Sequence, residues 1–132
     1  MRTVLDASAA ANVVLRTDLA PDIIEKLERS QIVIAPTLYY SEIANTLWKY
    51  VRTGELDKDT ALARYEEAIG LVDAFEADAS LITEALSAAI RYNHPVYDLL
   101  YVILARRRGC KVLSADKKLL ALAEKIDEDI LP

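Results

Sequence analysis

Asp6, Glu42, Asp98 and Asp116 each stand where an apolar run meets a helix-like segment. Their contexts are Val4-Leu5-Asp6-Ala7-Ser8, Ser41-Glu42-Ile43-Ala44-Asn45, Val96-Tyr97-Asp98-Leu99-Leu100 and Leu113-Ser114-Ala115-Asp116-Lys117. Most of the other acids belong to polar helix faces or tails. Four carboxylates brought together repel one another, and at least one takes up a proton unless a cation joins them. Hard divalent ions such as Mg²⁺ and Mn²⁺ prefer oxygen donors and keep several waters, so a few carboxylates plus substrate oxygens suffice. The chemistry in prospect is activation of water by a carboxylate-held divalent ion, which also neutralises charge building up during attack on phosphorus. Ser114, two residues before Asp116, is placed to orient a carboxylate or a water. Taken singly, each acid also has a structural explanation. Asp6 and Asp116 are suited to capping helices, Asp98 to a first-turn dipole contact, and Glu42 to a surface position.

The elements that must position these acids follow from the apolar pattern. Residues 2–5, 32–35 and 111–113 read as short strands, with a weak fourth within 72–77 and a fifth at 129–131. Helices are expected between them. One carries Pro21 in its first turn and runs to about Glu28, and one is capped by Thr37 or Ser41 and ends near Arg52. A third is capped by Asp57 or Asp59, with Leu62, Tyr65, Ile69 and Val72 at helical spacing. Asp78 or Ser80 opens a fourth through Tyr92, Pro95 precedes a fifth from Val96 to Arg108, and Asp116 heads the last. Short strands alternating with helices indicate a mainly parallel sheet of about five strands covered on both faces, an α/β three-layer sandwich. Ligands of such sheets bind outside the carboxyl ends of the strands, where Asp6 and Asp116 fall. Glu42 and Asp98 are expected to enter from the first turns of helices. Glu42, Asn45, Lys49 and Arg52 share one helix face, a line able to meet metal, water or sugar, and phosphate in turn. A solvated face would carry the same residues.

A chain of 132 residues that is 53% hydrophobic matches one domain over residues 1–132, with a core large enough to fold without staples. One cysteine, Cys110, excludes an intramolecular disulfide and a thiolate cluster, and it reads as simply buried. No apolar stretch approaches the roughly 20 residues of a membrane span, so a soluble cytoplasmic protein is expected. The net charge of −5 argues against nucleic acid only as an average. Residues 91–118 hold seven basic residues and two acids, a net of +5, so the remainder carries −10. Arg106 and Lys117 in that segment, with Lys49 and Arg52, are the candidate contacts to a phosphate backbone. The Arg106-Arg107-Arg108 run is equally explained as a solvated helix end.

In their order, these motifs resemble the PIN-domain family, and within it the VapC-type ribonuclease toxins of toxin-antitoxin pairs. The resemblance rests on four stretches: Leu5-Asp6-Ala7-Ser8 after the first strand, Glu42 followed by Asn45, Tyr97-Asp98 leading an aliphatic helix, and Ser114-Ala115-Asp116 after a strand. It covers nearly the whole chain. Ser114 stands where Thr is commoner, which keeps the hydroxyl. The resemblance implies that Asp6, Glu42, Asp98 and Asp116 form an Mg²⁺ or Mn²⁺ site supported by Ser114 and Asn45. It also implies endonucleolytic hydrolysis of RNA by metal-activated water. A homodimer and a cognate antitoxin, whose tail crosses an apolar groove and sets a basic side chain among the acids, are implied partners. Val13, Val14, Leu15, Tyr39, Tyr40 and Trp48 are candidates for those surfaces, with burial in the core as the alternative. His94, beside Pro95, reads as a loop residue.

Two other functions compete. A non-catalytic acidic α/β module would use the same acids to bind a basic protein partner. A structure-specific DNA nuclease would share the metal chemistry but needs clamping elements for which this chain has little room.

Overall fold

The computed structural model describes residues 1–132. Strands β1 (Arg2–Leu5), β2 (Ile32–Pro36), β3 (Ala74–Glu76) and β4 (Lys111–Leu113) form one sheet in the order β3-β2-β1-β4. Every pairing is parallel, with Thr3 opposite both Val33 and Lys111, and Ile34 opposite Ala74. The strands are linked through α1 (Ala7–Val14), α2 (Ala20–Glu28), α3 (Leu38–Arg52), α4 (Lys58–Gly70), α5 (Ile82–Tyr92) and α6 (Val96–Arg108). The last long element, α7 (Lys117–Ile126), follows β4.

Alternation along the strands divides the core into two layers. Val4 and Val112 join one apolar cluster with α5, α6 and α7, while Leu5 and Leu113 join another with α1, α3 and α4. This is the side-chain period of two at work in a sheet covered on both faces. Helix α6 is buried from Leu99 to Ala105, so it lacks the polar stripe of a surface helix. Its end is fixed by Gly109, whose φ of +62° suits a left-handed cap, with Cys110 N–H donating to the Ala105 carbonyl at 2.9 Å. That turn delivers the chain directly into β4. On the other layer, the buried Tyr39 hydroxyl donates to the Ala68 carbonyl at 2.6 Å and ties α3 to α4.

Several expectations need correction. Residues 129–131 do not form a strand. Glu128–Ile130 is a turn of 3-10 helix, because the Asp127 carboxylate accepts the Asp129 N–H and Ile130 turns into the core beside β4. The sheet therefore has four strands, all parallel. Helix α3 begins at Leu38, and its cap comes from a distant segment: the Asp78 carboxylate accepts the Leu38 N–H at 3.0 Å, while Thr37 Oγ1 accepts the Asp78 N–H at 3.1 Å. Of the expected series Leu62, Tyr65, Ile69 and Val72, Leu62 faces solvent at 57% exposure and Ala61 packs inward in its place, while the other three pack against the core. Val14 and Tyr39 are core residues, Val13 and Leu15 are half-buried against the core, and Tyr40 stacks on Phe75 at 4.3 Å. Of the six apolar surface candidates, Trp48 alone is exposed, at 53%. No helix is long and apolar enough to cross a membrane.

Candidate active site

Chain order runs from β1 outward through β2 to β3 on one side, and β4 lies on the other side of β1. The reversal of strand order thus falls between β1 and β4, and Asp6 and Asp116 follow those two strands. Asp6 continues the pairing by one residue, its N–H donating to the Leu113 carbonyl at 3.0 Å. It stands at the N-cap position of α1 but its side chain makes no capping bond. Instead Asp6 Oδ2 accepts the hydroxyls of Ser8 and Ser114, the latter at 2.6 Å. Each hydroxyl oxygen in turn accepts a backbone N–H of the β4 exit: Ser8 from Ala115 at 3.0 Å, Ser114 from Asp116 at 2.9 Å. The two strand exits are therefore clamped around one carboxylate that is 5% exposed.

Burial raises the Asp6 pKa above its ordinary value; the Ser114 and Ser8 hydroxyls oppose that rise, and the charges of Asp98 and Asp116 add to it. Glu42 behaves alike. Burial, opposed by the Tyr101 hydrogen bond and reinforced by Asp6, Asp98 and Asp78, pushes its pKa up to about 7. It enters from the second turn of α3, one turn later than expected, because α3 starts at Leu38. Tyr101 Oη donates to Glu42 Oε1 at 2.6 Å, and burial raises the Tyr101 pKa, with the Glu42 and Asp6 charges adding to it. Asp6 thus lies within electrostatic reach of Glu42, Asp98 and Asp116, and Glu42 within reach of Asp6 and Asp98. No Lys or Arg side chain forms an ion pair with any of the four.

Asp98 lies in the first turn of α6, where His94 Nε2 meets its Oδ2 at 2.8 Å. Asp116 caps α7, its Oδ1 accepting the N–H of Lys118 at 2.9 Å and of Leu119 at 3.4 Å. The capping explanation thus holds for Asp116 and fails for Asp6. Asn45 and Lys49 are exposed along α3, and the Arg52 guanidinium rests over the Trp48 ring at 4.8 Å. Lys117 opens α7 and lines a surface pocket with Ser114. Arg106 is in the last turn of α6, eight residues beyond Asp98 and so about 12 Å along the helix axis. Beside it, Arg107 pairs with Glu76 and Glu84, and Arg108 with Glu76. The arginine run therefore belongs to the end of α6 remote from the acids; a linear count of charge could not separate the two ends of a buried helix.

Three contributors escaped the sequence reading. Tyr101 lies three residues after Asp98, a spacing that puts both on one helix face. His94 sits four residues before Asp98, and Ser8 matches Ser114 in holding Asp6.

The donor set is all hard oxygen, its charge is unbalanced by any lysine or arginine, and both features suit Mg²⁺ or Mn²⁺. No three of the carboxylate, imidazole and thiol groups are gathered closely enough to grip an ion directly. Water-mediated coordination, which these ions favour, accommodates that spacing.

The PIN domain family profile matches residues 3–125, and the chain belongs to that family. Its relatives include Ribonuclease VapC3 of Pyrobaculum aerophilum, 31% identical over 134 residues and covering all of both chains. Ribonuclease VapC1 of Mycobacterium tuberculosis is 26% identical over 118 residues, 89% of this chain and 88% of the relative. The crystal structure of PAE2754 from Pyrobaculum aerophilum superposes with a TM-score of 0.74 at 23% identity, covering 92% of this chain and 84% of that one, a likeness of fold.

The raised pKa values carry a pH dependence. Glu42, ordinarily near 4.5, holds its proton to about pH 7 when folded, and Asp6 is shifted the same way. Between these limits the folded chain binds more protons than the unfolded one, so stability falls as pH rises through the window. In chelator, thermal melting is expected to occur at lower temperature above the window than below it. Glu42→Gln, which keeps an acceptor for Tyr101, should flatten the upper part of that profile. An unchanged profile in the variant would contradict the assignment.

Proposed function

We propose that this chain is a divalent-metal-dependent endoribonuclease, hydrolysing RNA phosphodiester bonds with activated water, and the toxin of a VapBC-type pair. The observation that carries the reading is the desolvated Asp6 carboxylate with Glu42, Asp98 and Asp116 around it and no basic side chain paired to the group, apart from the His94 contact. The ribonuclease names of the VapC relatives support it. Asp6, Glu42, Asp98 and Asp116 would hold Mg²⁺ or Mn²⁺, with Ser114, Ser8 and Asn45 in support. When bound, the ion lowers the pKa of water and offsets charge on the phosphate.

The chain's own groups have separable tasks. The hydroxyls of Ser8 and Ser114 both engage Oδ2 of Asp6 and leave its Oδ1 for a further partner. Tyr101 holds Glu42, whose pKa of about 7 lets it accept a proton near neutrality. Asp116 commits Oδ1 to the α7 backbone and has Oδ2 to offer. Lys117 stands at the rim of the site; Lys49 and the Trp48-bound Arg52 lie further along α3, where a bound RNA strand would continue.

One observation favours the rival reading, an acidic module that binds a basic partner without catalysis: Asp116 already serves as a helix cap, and no three acids converge on one point. Cleavage separates the two. Purified protein should cut RNA only with Mg²⁺ or Mn²⁺, and Asp6→Asn or Asp98→Asn should lower the rate by about 10²–10⁴-fold. Equal cleavage by both variants, or none by the parent with either ion, sinks the nuclease reading. Tight binding of a basic peptide without divalent-ion binding would then support the rival.

Partners have candidate surfaces. The groove between α3 and α4, about 250 Å³ and lined by Leu47, Trp48, Val51, Leu62 and Tyr65, is assigned to an apolar segment of the antitoxin. A second stripe, Ile82, Leu86 and Ile90 on α5 with Tyr97 nearby, is assigned to a second copy of this chain; Ile90 is 75% exposed. Light scattering should give a dimer that Leu86→Glu converts to a monomer, while Trp48→Glu remains dimeric. A dimer unaffected by Leu86→Glu would refute the α5 assignment.

A further inference from the structure

A pocket of about 240 Å³ lies between the end of α5 and α7, lined by Tyr92, His94, Lys118 and Lys125, with Ala121 and Leu122 completing it. It contains no carboxylate, and neither lysine takes part in any ion pair of the chain. In a protein of net charge −5, two unpaired lysines and an imidazole around one cavity are a local reversal of sign. The spacing of Lys118, Ala121, Leu122 and Lys125 puts all four on one face of α7.

The position of the pocket matters more than its charge. His94 reaches from its wall to Asp98 at 2.8 Å, and the Lys118 N–H reaches Asp116 at 2.9 Å. One lining side chain, His94, thus bonds directly to Asp98, and another, Lys118, follows the α7 cap residue Asp116 by two positions. Its volume is below the roughly 300–1,000 Å³ of drug-sized sites, and suits a phosphate with part of its sugar. The Tyr92 ring supplies an aromatic edge beside it, with the Arg91 guanidinium 5.4 Å from the ring centre. Cationic side chains beside an aromatic ring are the combination that tracks a single strand of nucleic acid.

We infer that this pocket is a subsite for a backbone phosphate of the RNA strand, one that flanks the bond cut at the acids, with Lys118 and Lys125 neutralising it. The inference rests on the nuclease reading and specifies which side of the acids the strand leaves. A strand held here runs along α7, away from the arginines at the far end of α6.

The test compares the parent with a Lys118→Gln/Lys125→Gln double variant, using oligoribonucleotides of about ten residues and dinucleotides with a single phosphodiester. On the long substrate the variant should show KM raised about 10-fold with kcat unchanged, and on the dinucleotide no difference. RNA binding by the Asp6→Asn form should lose about 1 to 2 from its slope of log affinity against log salt when both lysines are replaced. Lys118→Arg/Lys125→Arg should restore both, and Arg29→Gln, just after α2 and paired with Glu25, should change neither. An active parent whose double variant keeps its KM and salt slope overturns the subsite alone. A parent that neither binds nor cuts RNA overturns the nuclease reading with it. Loss of kcat on both substrates would mean that the lysines act on the acids and not on a flanking phosphate, which also overturns the proposal.

Discussion

A carboxylate removed from water at the meeting point of two strands is costly unless its charge is met by donors, and Asp6 is placed at such a point. The Ser8 and Ser114 hydroxyls meet one of its oxygens, and the backbone amides of Ala115 and Asp116 lock those hydroxyls in turn. This small network ties the exits of β1 and β4 together. It needs β1 and β4 to be parallel neighbours in their observed register, which needs α6, buried from Leu99 to Ala105, to pack against them. Hydrogen bonds to a charged acceptor are stronger than neutral ones, and leaving such a group unmet inside a protein costs more still. Sheet order, the α6 crossover and the site therefore stand or fall together.

Around Asp6 the electrostatics are one-sided. None of the four carboxylates has a lysine or arginine to balance it, and two of them, Asp6 and Glu42, hold their protons more tightly, chiefly because they are buried and in part through neighbouring acids. The basic residues that a charge count places nearby divide by position. Arg107 and Arg108 are consumed by Glu76 and Glu84 at the remote end of α6, while Lys117 and Lys118 remain at the head of α7. Protonation relieves part of this charge, and on the proposed reading a hydrated divalent cation would balance the rest with oxygen donors only. On the same reading a substrate phosphate would add negative charge there, and a cation and the lysines of α7 would act together.

How much of this was legible in the sequence depended on whether a local signal existed. Strand β1 is a short apolar run ended by Asp6 and β4 one preceded by the helix terminator Gly109, and both were read to the residue. Helices α6 and α7 were likewise marked by Pro95 and Asp116. Non-local bonds were not readable: no pattern in the sequence says that Asp78 caps α3 from beyond β3, and this moved Glu42 from the first turn to the second. The apolar pair Ile130 and Leu131 imitated a strand because burial alone does not distinguish a strand from a 3-10 turn. Tyr101 was hidden among the aliphatic residues of α6, although its spacing from Asp98 offered the clue. Of the acids, Asp6 and Asp116 were equally open to a capping explanation, which fails for Asp6 and holds for Asp116.

The central claim is that the four acids form one site for a hard divalent cation. It is tested most directly by the crystal structure of the protein with Mn²⁺, using the ion's anomalous scattering. The account predicts a peak in the space between Asp6, Asp98 and Asp116, bonded to at least one carboxylate directly and to others through water, and lost in Asp6→Asn. Saturating Mn²⁺ with no peak there, or a peak only at other carboxylates, would contradict it.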